Sequence, residues 1–92
     1  MIIQFGHKGL ERLFASGDTR GVNAQQIKRL RRLLASLSTA TSPQNMNFAG
    51  YQLHRLVGER KGEWAVSVSG NWRLVFRFDG ENATDVDLVD YH

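Results

Sequence analysis

Residues 64–78, Trp64-Ala65-Val66-Ser67-Val68-Ser69-Gly70-Asn71-Trp72-Arg73-Leu74-Val75-Phe76-Arg77-Phe78, decide the fold. Two runs of alternating character flank Gly70-Asn71, a pair suited to the unusual torsions of a two-residue loop, so the stretch predicts an antiparallel hairpin. In the second run Trp72, Leu74, Phe76 and Phe78 fall on one side and Arg73, Val75 and Arg77 on the other. The aromatic side is the expected core face. If Gly70-Asn71 is the whole loop, Val68 pairs with Arg73 and shares its side. That second side is then mixed apolar and cationic, the character of a sheet face that lines a ligand cleft.

Downstream, Asp79-Gly80 signals another turn, and a last strand is expected from about Ala83 to Tyr91, with Val86 and Leu88 alternating. Upstream, Tyr51-Gln52-Leu53-His54-Arg55-Leu56 reads as a strand closed by Gly58, and residues 38–50, polar around Pro43, as a linker. Before the linker, Ile27, Leu30, Leu34 and Leu37 make one helical stripe flanked by Leu33. Asn23 is a suitable N-cap for it, with Gln26 three residues on as in a capping box. Leu10, Leu13 and Phe14 mark an earlier, shorter helix that Gly17 can end in a left-handed conformation. Ile2, Ile3 and Phe5 suggest a first short strand. The fold class is therefore α+β, with two N-terminal helices packed on one face of a mainly antiparallel sheet of about four to five strands. At 92 residues, 1–92 is expected to be a single domain.

Composition excludes several functions. There is no Cys, which removes disulfides, thiolate chemistry and Cys-based zinc sites and suits a reducing cytosol. No apolar run approaches the ~20 residues of a membrane span, and the start of the chain does not read as a signal peptide. A cytoplasmic protein with no membrane partner is expected. Residues 1–61 hold ten Lys/Arg against three Asp/Glu, and residues 62–92 two Arg against six Asp/Glu. A basic front half attracts polyanions such as RNA. Lys28, Arg29, Arg31 and Arg32 on the back of the second helix, with Arg60, Lys61 and Arg77, are the candidate RNA-contacting cations; the alternative for the helix is a solvated face.

His7, His54 and His92 have no metal-ligand spacing, and neither a phosphate-binding Gly-rich loop nor Gly-x-Ser-x-Gly is present, so no metal or cofactor is expected. The stretch Asp90-Tyr91-His92 stands out because it follows an apolar alternation able to tie it into the sheet. RNA cleavage without a metal needs one group to take the 2′-hydroxyl proton, one to protonate the leaving 5′-oxygen, and a fixed cation for the phosphorane charge. Histidine suits the first two tasks and arginine the third. His54, Arg73, Asp90 and His92 supply such a set. Tyr91, in strict alternation with its neighbours, is expected to face the core unless a bulge turns it in.

These residues resemble a known family. Leu53-His54-Arg55-Leu56 with Gly58-Glu59-Arg60 is similar to the Leu-His-x-Leu-x-Gly-Asp/Glu-Arg segment of the HigB branch of the RelE-type toxins. Gly62-Glu63-Trp64, Asn71-Trp72-Arg73 and Asp90-Tyr91-His92 resemble further elements of that family, as do His7-Lys8-Gly9-Leu10, Leu13-Phe14 and Thr39-Ala40-Thr41. The resemblance spans nearly the whole chain. It implies a RelE-like microbial-RNase fold, mRNA cleavage in the ribosomal A site, and neutralisation by a cognate antitoxin of helix-turn-helix type. It implies catalytic positions at His54, Asp90, Tyr91 and His92 and a phosphate-stabilising one at Arg73. Val57 stands where relatives can carry Lys, and Arg55 where they can carry Pro. The competing readings are a toxin of the same fold that inhibits a protein such as gyrase, and an RNA-binding domain without catalysis.

Overall fold

The computed structural model describes residues 1–91. Helices α1 (Lys8–Ser16) and α2 (Ile27–Thr39) precede strands β1 (His54–Arg55), β2 (Trp64–Ser69), β3 (Trp72–Asp79) and β4 (Asn82–Asp90). The strands form one antiparallel sheet in the order β1-β2-β3-β4. Residues 1–6 run parallel to β4 on its outer side, through bonds from Ile3 N to Ala83 O (2.9 Å) and from Gly6 N to Val86 O (2.8 Å). The expected first strand is thus an edge ribbon.

Gly17 ends α1 with φ 74°, and its N–H and that of Asp18 close back on the carbonyls of Leu13 and Arg12. The start of α2 differs from the capping-box expectation. Asn23 caps a single 3₁₀ turn, Ala24–Gln26, and Gln26 is buried with Nε2 donating to Ser69 Oγ at 3.0 Å. Its amide is thus committed to the β2–β3 hairpin. Leu30, Leu33, Leu34 and Leu37 of α2 are fully buried, each stabilising by about 1.5–3 kcal/mol. Repulsion among the exposed Lys28, Arg31 and Arg32 on the opposite side costs only a few tenths of a kcal/mol per pair, so burial decides the helix. Residues 38–50 are more than a linker: α2 extends to Thr39, and a 3₁₀ turn, Pro43–Met46, drops Met46 into the core.

The main core joins those leucines to Leu10 and Leu13 of α1 and to Val66, Leu74, Phe76, Ala83 and Val86 of the sheet. Trp72 belongs to the same strand face but sits at the hairpin end and stays 37% exposed. The expected pairing of Val68 with Arg73 does not occur. Ser67 pairs with Arg73 and Ser69 with Trp72, leaving Val68 in a bulge from which it packs into the main core. A second bulge lies between Val75 and Arg77, where Asp85 takes φ 52° and lets both Ala83 and Val86 point inward. The strand expected over Tyr51–Leu56 is cut to two residues because Gln52 turns at φ 53° while Tyr51 is buried, its hydroxyl 3.0 Å from Ser36 Oγ.

Candidate active site

The second face of the sheet is built from residues that register sets side by side. His54 lies opposite Ala65, Ala65 opposite Val75, and Val75 opposite Asp87. One step along, Ser67 lies opposite Arg73 and Arg73 opposite Val89. Period-two alternation then puts His54, Ser67, Arg73, Val75, Asp87 and Val89 on one face. Leu56, Ala65 and Val75 form a small buried floor, against which Val89 and Tyr91 pack. Tyr91 therefore lies on the Arg73 side, in contrast to the core position expected from its sequence. The β4 bulge turns it there: Tyr91 has the parity of Ala83, and the extra residue at Asp85 puts Val86 on the main-core face and Val89 and Tyr91 on the other, where they pack on the second apolar cluster.

The strand end is pinned. Tyr91 N donates to Asn71 O at 2.8 Å, tying it to the loop of the β2–β3 hairpin. His54 and Arg73 are two strands and two residues apart, about 12 Å at Cα by ordinary sheet spacing. The exposed His54 ring places Nδ1 3.0 Å from Gln52 O. A carbonyl only accepts, so this bond requires the proton on Nδ1 and leaves Nε2 as the basic nitrogen of the neutral ring. Arg73 Nη1 donates to Gly70 O (2.8 Å) and Trp72 O (3.0 Å). These solvent-exposed bonds are worth about 0.5–1.5 kcal/mol each, so a phosphate can displace them. Asp90 pairs with Trp72 and by alternation belongs to the other face at the sheet margin, separated from His54 and Arg73. His92 lies outside the described residues.

The other candidate cations divide into two groups. Lys28, Arg31, Arg32 and Lys61 are exposed. Arg60, Arg77 and Arg29 are engaged. Arg60 Nη1 lies 3.3 Å from both oxygens of Glu63, and Arg77 Nη2 3.8 Å from one of them. Arg77 also approaches Asp85 at 3.7 Å and Lys61 O at 3.4 Å. Glu63, only 8% exposed, is thus an organiser that sequence reasoning passed over as the middle residue of Gly62-Glu63-Trp64. Arg60, three residues before it, is the sequence signal that could have found it; Arg77, on the neighbouring strand, is brought in only by the sheet. Arg29 is bonded to Ser67 O and Gly50 O, and Arg55, on the opposite side of β1 from His54, lies over the Trp64 ring at 5.0 Å. Val57 is 84% exposed. Among the described residues no group of three or more His, Cys, Asp or Glu could hold a metal ion, and no helix is long and apolar enough to cross a membrane.

Comparison with known proteins gives a consistent result. The family model described as RelE-like toxin of type II toxin-antitoxin system HigB matches residues 3–92. A curated protein of Proteus vulgaris, Endoribonuclease HigB, is 42% identical over 92 residues, covering all of both chains. Among solved structures, YafQ from E. coli strain BL21(DE3) superposes with a TM-score of 0.55 at 18% identity, covering 95% of this chain and 89% of its own. A chain of the YoeB–YefM complex from Staphylococcus aureus reaches 0.59 at 14% identity, covering 100% and 98%. At such identities the structural matches bear on the fold alone.

Proposed function

Because the chain belongs to the HigB-like family of RelE-like toxins of type II toxin–antitoxin systems, we propose that residues 1–92 form one endoribonuclease toxin domain that cuts mRNA in the ribosomal A site and is neutralised in the cytoplasm by an antitoxin of helix-turn-helix type. The observation that carries this reading is the shared sheet face of His54, Arg73 and Tyr91, closed at one end by the Tyr91–Asn71 bond. A face of this kind suits cleavage better than passive binding, since it offers a basic imidazole nitrogen and a displaceable guanidinium over an apolar floor.

In the proposed reaction His54 Nε2 accepts the 2′-hydroxyl proton as the 2′-oxygen attacks phosphorus. The P–O5′ bond breaks, and His92 gives its proton to the departing 5′-oxygen. The products are a 2′,3′-cyclic phosphate and a 5′-hydroxyl end. Arg73 turns from its carbonyl partners to the non-bridging oxygens, where a positioned cation acts on charge that develops only in the transition state. Tyr91 orients the ribose or phosphate, and Asp90 acts from the strand margin on the groups beyond it. None of these steps calls on a metal ion. The exposed Lys28, Arg31, Arg32 and Lys61 contribute phosphate contacts that position the toxin without choosing sequence.

Primer-extension mapping of an mRNA incubated with the toxin tests the reading. Cuts within codons are expected only when ribosomes translate the message, and they persist when the toxin has been stripped with EDTA beforehand. His92→Ala is expected to slow cutting by ~10²-fold or more. Inhibited translation with intact mRNA would instead favour a toxin that acts on a protein, and salt-sensitive retention of uncut RNA would favour a binding domain.

A further inference from the structure

We propose that Arg29, one of four basic residues in five on α2, is a positioning residue for His54 and contacts no RNA. This rests on His54 being the base of the reaction above. The Arg29 guanidinium donates from Nε and Nη2 to Ser67 O at 3.3 and 2.9 Å and from Nη2 to Gly50 O at 2.8 Å. Its Cζ lies over the Tyr51 ring, 5.0 Å from the ring centre. Three donor contacts to two carbonyls, made by a planar group lying over a ring, use the fork geometry that arginine has and lysine lacks. Ser67 N in turn donates to Tyr51 O at 2.7 Å. Arg29 thus locks the 50–51 segment onto β2 at the residue that faces Arg73.

The locked segment leads directly to the site. Gly50 and Gln52 both take positive φ, 86° and 53°, and a left-handed Gln52 persists only where its surroundings hold it there. The Gln52 carbonyl formed by that turn is the partner of His54 Nδ1 at 3.0 Å. Releasing Gly50 and Ser67 frees the turn, and with it the group that selects the His54 tautomer.

The test measures three quantities. In the wild-type protein the Arg29 Nε–H is expected to exchange slowly with solvent, and a long-range proton–nitrogen spectrum is expected to report the Nδ1–H tautomer for neutral His54. Arg29→Lys keeps the charge and loses the fork, and Arg29→Met keeps the stem over Tyr51. Both are expected to shift the tautomer balance. In single-turnover cleavage of ribosome-bound mRNA both lower the saturated rate about tenfold or more, with the half-saturating concentration and salt dependence unchanged. A Lys28→Gln control, which removes an exposed cation, is expected to show a weaker salt dependence with the wild-type His54 tautomer. Rapid exchange of the wild-type Arg29 Nε–H, which can be read even if no variant folds, would overturn the tether. So would an Arg29→Lys protein with a wild-type tautomer and rate, or an Arg29→Met protein whose salt slope falls by about one, the mark of a lost phosphate contact. The exchange and tautomer signals need no cleavage, so a protein that shows them without cutting RNA refutes the nuclease reading and leaves the tether standing.

Discussion

Gly9→Ala tests the packing of α1 through the sign of its effect. In an open helix this change stabilises by about 0.8–1 kcal/mol, because glycine gives up more backbone freedom on folding than alanine. Here a methyl group on Gly9 would overlap the Gly21 carbonyl oxygen and come within 2.7 Å of its carbon and 2.8 Å of the His7 ring. The apposition is mutual, since a methyl on Gly21 would lie 2.6 Å from Gly9 Cα. Ordinary contact requires the two backbones to part by most of an ångström, and His7 is bound in place as the α1 cap, accepting from Leu10 N at 3.1 Å. Overpacking of this kind costs typically 1–3 kcal/mol. Because the overlap is with Gly21 backbone atoms, the upper part of that range applies, about 2–3 kcal/mol, and the net expectation is a loss of about 1–2 kcal/mol, a fall in Tm on the order of 10 °C for a domain this size. Urea titration of the wild type, Gly9→Ala and Gly21→Ala measures it, with both variants shifted to lower midpoint at unchanged slope. A Gly9→Ala protein as stable as wild type, or more so, would refute the close crossing of α1 and the 17–22 loop.

Three further outcomes are expected. Glu63→Ala should lower stability by about 1–2 kcal/mol in urea titration, more than an exposed ion pair and less than a fully buried one, because both arginines remain partly solvated. Val57→Lys puts a cation at an open position beside the His54 strand and should raise single-turnover cleavage severalfold, with no change in Tm. Asp18 is held down to about 2 by its side-chain bonds to Arg20, then by the Arg20 backbone N–H. A depressed folded value adds stability that is present above the ordinary carboxylate value near 3.8 and lost as pH falls through about 2. Asp18→Asn should therefore melt below wild type at pH 5, with the gap closing between pH 4 and 2.

Most of the architecture was legible because hydrophobic period is local information. The leucine stripe of α2, the 70–71 hairpin loop and the alternation of β3 each settle one element with no knowledge of the rest. The residues misread are those whose partner lies far along the chain. Gln26 looked like a cap because its contact with Ser69 is invisible in a helix pattern. Counting from the loop puts Val68 opposite Arg73, and a bulge inside β2 shifts the count. Strand β1 is shorter than its sequence suggests because nothing in Gln52 announces a left-handed turn. The candidate residues are legible as a set of residue types but not as a face: His54, Arg73 and Tyr91 share one sheet face, whereas Asp90 belongs by alternation to the other. Arg29 shows the same limit, since charge pattern alone cannot separate a cation that meets solvent from one that meets two carbonyls.

Single-turnover cleavage of one ribosome-bound codon by wild type, His54→Ala and Arg73→Ala, with the 5′ fragment analysed for its terminal group, bears most directly on the assignment of chemistry to this sheet face. The expected result is a 2′,3′-cyclic phosphate end and a rate lowered by ~10²-fold or more in each folded variant. Wild-type rates in both variants would contradict it.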